Sequence, residues 1–219
     1  MRLILISPPG GGKGTQAQLL SERLGLVHFS TGDILREAVD KETPEGQLAK
    51  PYMNNGKLAP DEVVDEIVNA RFRAKDHPGK FVMDGYPRTL AQAKSFDAIL
   101  KEQALPLDAV LYLAVPDEEI VTRIGNRLTC INPDCGAVYH SLYKPPRVTG
   151  RCDKCNHLLI QREDDKAETV RQRLQVFHAH NDEILQHYAR QGLLREVAGQ
   201  GDIETVHANI LQSLKPKTP

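Results

Sequence analysis

Residues 7–15 read Ser7-Pro8-Pro9-Gly10-Gly11-Gly12-Lys13-Gly14-Thr15, between an apolar run, Leu3-Ile4-Leu5-Ile6, and an amphipathic stretch from Gln16 to Leu24. Strand, glycine-rich turn and helix, in that order, is the setting a phosphate-binding loop requires. It limits the chain to an α/β fold. Glycine is needed because backbone N–H groups must turn inward around phosphate oxygens, where a Cβ would block the approach. The helix that follows adds the partial positive charge of its N-terminus. In this reading Gly10, Gly11, Gly12 and Gly14 form the cradle, Lys13 reaches the outer phosphates, and Thr15 sets a hydroxyl near a magnesium ion. The alternative, a turn with no ligand, is a costly way to join a strand to a helix. Ser7 departs from the general pattern, which begins with glycine, and Gly14 separates Lys13 from Thr15.

The rest of the chain alternates in the same way. Apolar runs at 2–6, 26–29, 81–83, 110–115 and 194–197 read as five buried parallel strands. Helical periodicity falls at 13–24, 33–39, 61–75, 90–103, 118–128, 166–190 and 203–214, and 215–219 reads as a frayed tail. The expected fold is a three-layer α/β/α domain around a five-stranded parallel sheet. Two stretches break the alternation: 30–59 offers helices without a strand, and 127–163 holds the cysteines and several prolines. They read as insertions over the carboxyl edge of the sheet, where ligands bind. The core is then 1–29, 60–126 and 164–219.

A chain of 219 residues with 40% apolar and 26% charged residues is ordinary for a globular domain. The formal net charge of −1 gives no global attraction to nucleic acid or membrane, so anion affinity must come from local clusters. No apolar run approaches the roughly 20 residues that span a bilayer. The short N-terminal run lacks the form of a secretory signal, and the expected location is cytoplasmic.

The four cysteines, Cys130, Cys135, Cys152 and Cys155, form two close pairs. Three readings stand: a tetrahedral zinc site, paired disulfides, or unligated thiols. Two short loops offering two thiolates each suit zinc, and a chain without an export signal disfavours disulfides. His140 and His157 lie near enough to act as substitute ligands.

Asp84 follows a buried strand in Met83-Asp84-Gly85-Tyr86-Pro87-Arg88, beside the phosphate loop of a doubly wound sheet, where it can orient water on magnesium. Asp-Gly and Pro also simply make turns. Ser30 and Asp33 fit a capping box at a helix start, with Arg36 facing a second anion. Arg88, Arg123, Arg127, Arg162 and Arg173 fall at element ends or in the second insertion. A lone surface arginine is usually just solvated, but two polyphosphates in one site need many fixed cations, and the guanidinium fork matches phosphate oxygens. Arg123 and Arg127, four apart, are expected on one helix face.

Together these motifs resemble the adenylate kinase family in its long-lid, zinc-binding bacterial form, over essentially the whole chain. Pro9 to Thr15 is similar to that family's ATP loop, including the glycine between lysine and threonine. The resemblance implies ATP contacts from Arg123, Arg127, Val138, Tyr139 and Gly201. It implies AMP contacts from Thr31 and Arg36, from Met53 and the loop Lys57-Leu58-Ala59, and from Gly85, Tyr86, Pro87, Arg88 and Gln92, the last at the adenine edge. Arg162 and Arg173 would bridge lid, phosphates and AMP. Segment 30–59 would be the AMP-binding insertion and 127–163 a lid on structural zinc, with magnesium arriving on ATP. The implied reaction is ATP plus AMP to two ADP, by a monomer without nucleic-acid or membrane partners. Three positions depart from the family: Ser7 stands at the first loop glycine, the Cys130–Cys135 spacing is two residues longer, and Val138 replaces a frequent threonine.

Rival readings are a kinase of UMP, CMP or GMP, a zinc-ribbon nucleic-acid module, and a nucleotide-hydrolysing switch. Near-neutral charge and 5% aromatic content disfavour the nucleic-acid module. The switch would not need a second anion site at Arg36 and Arg88.

Overall fold

Both faces of the first strand are apolar, and helices cover both. The computed structural model describes residues 1–142 and 144–215, with only the backbone described at Glu163. In chain order the elements are β1 (Arg2–Ile6), α1 (Lys13–Leu24), β2 (Val27–Ser30), α2 (Thr31–Asp40), α3 (Pro44–Asn54), α4 (Asp61–Arg73), β3 (Phe81–Asp84), α5 (Leu90–Glu102) and β4 (Ala109–Ala114). There follow α6 (Asp117–Gly125), β5 (Arg127–Cys130), β6 (Val138–His140), β7 (Leu159–Ile160), a 3-10 turn (Glu163–Asp165), α7 (Ala167–Arg190), β8 (Leu194–Ala198) and α8 (Ile203–Ser213).

The main sheet has five strands in the order β2-β3-β1-β4-β8, all parallel. Because side chains alternate along a strand, Leu3 and Leu5 enter one core with Ala17, Leu20, Val206 and Ile210, from α1 and α8. Ile4 and Ile6 enter the other with Phe72, Phe96 and Tyr188, from α4, α5 and α7. In that second core the Phe72 ring meets Phe81 and Phe96 edge-on, with centroids 5.0 and 5.2 Å away. Such edge-on pairs fix relative orientation as well as burying area, so they pin α4 and α5 to β3. This is the three-layer α/β/α fold expected. The strand order reverses across β1, and ligands of doubly wound sheets bind at the carboxyl ends of such strands. Asp84 ends β3 in register with Leu5 on one side and Ser30 on the other.

Two expectations change. The helix expected over 118–128 stops at Gly125, and Arg127 opens a strand. Asn126 explains the stop: its carbonyl and side-chain oxygen accept from Ser141 N–H and Oγ (3.0 and 2.9 Å), which draws the chain into pairing between β5 and β6. Arg123 and Arg127 therefore do not share a helix face. Secondly, only half of the capping box forms: Ser30 Oγ accepts from Asp33 N–H at 3.3 Å, while the Asp33 carboxylate turns to arginines. The cysteine segment folds as a three-stranded antiparallel sheet, β6-β5-β7. Of the expected tail, 216–219 lie outside the described residues.

Candidate active site

The phosphate loop is built by backbone geometry. Gly10 and Gly12 adopt positive φ (78° and 89°), in the left-handed region that glycine enters without strain. A Cβ on Gly10 would also lie 2.3 Å from Ile124 Cγ1, so this turn tolerates no side chain. Gly12 is the N-cap of α1 and supplies no capping side chain, which leaves the first-turn N–H groups open to an anion. Ser7 folds its hydroxyl onto the loop, donating to Pro8 O at 2.9 Å. Asp84 borders the first turn of α1: a Cβ on Gly14 would lie 3.3 Å from its Oδ2, and His28 Nε2 is 3.4 Å from the same oxygen.

Cations gather over this loop. Burial drives the Lys13 ammonium down to about 7; Asp84 opposes the shift, while Arg88, Arg173 and Arg127 add to it. Burial, with Arg173 and Arg36 nearby, likewise lowers Arg88 to about 10. Burial, with Arg36 and Arg127 nearby, does the same to Arg162. Carboxylates answer part of this charge. Arg127 grips Asp165 with two nitrogens, and Arg173 Nη1 donates to Asp164 Oδ2 at 2.8 Å. Asp33 pairs with Arg36 and lies 3.8 Å from Arg162, whose Nε donates to Thr129 Oγ1 at 3.0 Å. Lys13 and Arg88 make no ion pair with a carboxylate among the described residues. Concentrated, desolvated positive charge of this kind is the complement of a polyphosphate.

The main cleft runs from Lys13 past α2 and the end of α3 to α7. Of the residues the sequence pointed to, Lys13, Arg36, Met53, Lys57, Leu58, Ala59, Gly85, Pro87, Arg88 and Arg173 line it. Thr31 and Gln92 line a smaller adjoining cavity with Leu35, Leu58, Ala59 and Val64. Thr31 Oγ1 donates to Gly85 O at 2.8 Å, fixing α2 against the turn after β3. Arg123 stands on the other side of the loop, where its Nη2 donates to Gly199 O at 3.1 Å and it pairs with Glu119. Its Nη1 is 3.9 Å from where a Gly12 Cβ would be, so Gly12, Arg123 and the loop carrying Gly201 face one another.

A family model of adenylate kinases matches residues 5–193. An adenylate kinase from Archaeoglobus fulgidus is 50% identical over 210 residues, 96% of each chain. One from Caldicellulosiruptor bescii is 48% identical over 98% of this chain and 99% of its own. One from Thermodesulfovibrio yellowstonii is 43% identical over 99% of this chain and all of its own. The chain belongs to the adenylate kinase family. It is a nucleoside monophosphate kinase, a phosphotransferase.

Against that family's motifs, several residues take positions the sequence did not reveal. The Tyr139 ring, expected against ATP, is turned into the small core of the antiparallel sheet with Cys130, Ala137, Cys152 and Leu159. Its hydroxyl accepts from Asp153 N–H at 2.8 Å and lies 3.6 Å from Cys152 Sγ. The Tyr86 ring is likewise buried in the main core, its hydroxyl 2.6 Å from Asp65 Oδ1. Val138 opens β6 opposite Thr129. Val176, Phe177, Asn181 and Ile184 of α7 line the main cleft and were not among the expected site residues, although Phe177 and Ile184 belong to the apolar stripe of that helix. Their helical spacing reads as core packing, and nothing in the sequence says that part of that stripe faces a cleft.

The four cysteines converge. All four Sγ atoms lie within 4.8 Å of one another, and none is in a disulfide. Zinc–sulfur bonds of about 2.3 Å place tetrahedral sulfurs about 3.8 Å apart. The Cys130–Cys155 and Cys135–Cys152 separations of 3.4 and 3.6 Å come near that spacing. The His157 backbone N–H holds the Cys155 thiol down to about 6, the direction a metal-binding thiolate needs, whereas burial pushes the Cys130 thiol up to about 12 and raises Cys135. At Cys152 burial raises the thiol, and the Tyr139 hydroxyl and the Cys155 and Lys154 N–H groups outweigh it. The donor set fits a closed zinc site, and the longer Cys130–Cys135 loop is accommodated.

Proposed function

We propose that this chain transfers a phosphoryl group reversibly between MgATP and AMP, giving two ADP, within the cleft between Lys13 and Arg88. One observation carries the reading: a loop shaped for phosphate and a second, separate set of arginines open into one desolvated, cation-rich cleft. A nucleotide-hydrolysing switch has no use for the second set.

Lys13 and the loop N–H groups hold the donor's outer phosphates. Thr15 and Asp84 face the magnesium that arrives with ATP, and Arg123 and Arg127 flank the donor. Arg88 and Arg36 hold the acceptor phosphate, while Arg162 and Arg173 bridge the group in flight. The transition state spreads negative charge over oxygens and needs little covalent help, so alignment and charge neutralisation supply the catalysis. Water must be kept out, since an open site would hydrolyse ATP. Segments 30–59 and 127–163 serve as the covers. Arg162 reaching Asp33 at 3.8 Å supports a meeting of the two over the phosphates. Zinc on Cys130, Cys135, Cys152 and Cys155 is structural, since four thiolates leave no open position for chemistry.

Among the described residues no helix is long and apolar enough to cross a membrane. A cytoplasmic monomer that binds ATP, AMP and ADP, without nucleic acid, is the reading that accompanies this mechanism. The test is ADP production from ATP with AMP, CMP, UMP or GMP as acceptor. AMP should be preferred, and equal or better turnover of another acceptor would overturn the assignment.

A further inference from the structure

Gln92 is 1% exposed and lines the smaller cavity, whose walls include Leu35, Leu58, Ala59 and Val64. Its carboxamide is gripped at both ends. Nε2 donates to Asp61 Oδ1 at 2.8 Å, and Oε1 accepts from Arg88 N–H at 2.7 Å. Asp61 is held in turn, because its Oδ2 accepts from Thr89 Oγ1 at 2.7 Å. An ionised carboxylate only accepts and a backbone N–H only donates. A reversed amide would set oxygen against oxygen at Asp61 and N–H against N–H at Arg88. The amide therefore has one permitted orientation.

After these bonds Gln92 keeps one N–H on Nε2 and one lone pair on Oε1. A purine with an amino group at C6 presents a donor there and an acceptor at N1, and matches this pair. A purine with an oxo group at C6 presents an acceptor there and a donor at N1, and would need the reversed amide. We propose that Asp61 is a specificity-determining positioning residue: it locks Gln92 in the orientation that accepts 6-aminopurine and rejects 6-oxopurine monophosphates. This rests on the AMP reading above. Asp61 lines neither of these two cavities and acts through Gln92. Of the two locks it alone can be removed by changing a side chain.

The test compares AMP with IMP, whose base differs at this edge, as acceptors with ATP as donor. Asp61→Asn keeps the shape and can present a donor to Gln92, and Asp61→Ala removes the acceptor altogether. In both, the ratio of kcat/KM for AMP over IMP should fall roughly 10- to 100-fold, the range set by a hydrogen bond to a charged group. The fall should come from a higher KM for AMP without a matching loss on IMP, and KM for ATP should hold. The ratio is formed within each variant, so a general loss of folded enzyme cancels. Parallel losses on AMP and IMP, leaving the ratio at its wild-type value, would overturn the lock while AMP turnover stands. A wild-type enzyme that ignores AMP would overturn the underlying reading and the lock with it.

Discussion

Lys13 concentrates the electrostatics of the site in one side chain. Its folded value of about 7 lies below the usual 10.5 because burial and three arginines disfavour its charge. Below pH 7 the ammonium is charged in both folded and unfolded chains, and the penalty on the native state is complete. Above 10.5 it is neutral in both, and the penalty is gone. Lys13 should therefore make the ligand-free protein more stable as pH rises from about 7 to about 10.5. Denaturant melts across that range should show the rise, and Lys13→Met should flatten it. Phosphate binding restores the charge, so ATP binding near pH 8 should take up a proton that Lys13→Met does not. Calorimetry in buffers of different ionisation enthalpy reads this directly, and equal uptake by both proteins would count against the role. On the acceptor side, Arg88→Lys keeps the charge but loses the fork that reaches two oxygens. KM for AMP should rise roughly 10-fold or more, with KM for ATP nearly unchanged; matched changes in both would place Arg88 elsewhere in the reaction. These residues were legible because each follows a strand or opens a helix in a pattern whose chemistry is local. Asp61 was not, because an acid in the first turn of a helix reads as ordinary dipole compensation. Only the fold brings Gln92 from thirty-one positions away to its carboxylate.

At the scale of elements, the parallel strands and long helices could be read from apolar runs and their period, with ends shifting by one to three residues. The antiparallel sheet could not. Its strands hold only four, three and two residues, too few to show an alternation, and long-range pairing makes them. That is why Arg127 read as helical: its place in a strand depends on the pairing of β5 with β6, which also turns the Tyr139 ring into the small core. The small core under this sheet holds Cys130, Ala137, Tyr139, Cys152 and Leu159, too little apolar area to hold the segment without a staple. Stripping zinc with a strong chelator should lower the melting temperature by several degrees, at about 2–4 °C per kcal/mol for a chain of this size. Cys152→Ser should reproduce the loss, and an unchanged melt after chelation would mean that the thiols hold no metal.

On the scale of the whole molecule, the fold gathers charge that net composition hides. A chain with a formal charge of −1 assembles Lys13, Arg36, Arg88, Arg127, Arg162 and Arg173 around one cleft and, among the described residues, sets Asp33, Asp84, Asp164 and Asp165 against them. Like charges gathered in this way repel one another until phosphate arrives, and two nucleotides together neutralise them better than either alone. Two adenosines joined through five phosphates should therefore bind as a single ligand. The deciding measurement is a calorimetric titration with that compound, combined with competition against ATP and against AMP. The account predicts one molecule per chain, displacement of both nucleotides, and loss of tight binding in Lys13→Met and in Arg88→Met alike. Two molecules per chain, or displacement of ATP while AMP stays bound, would contradict a shared cleft.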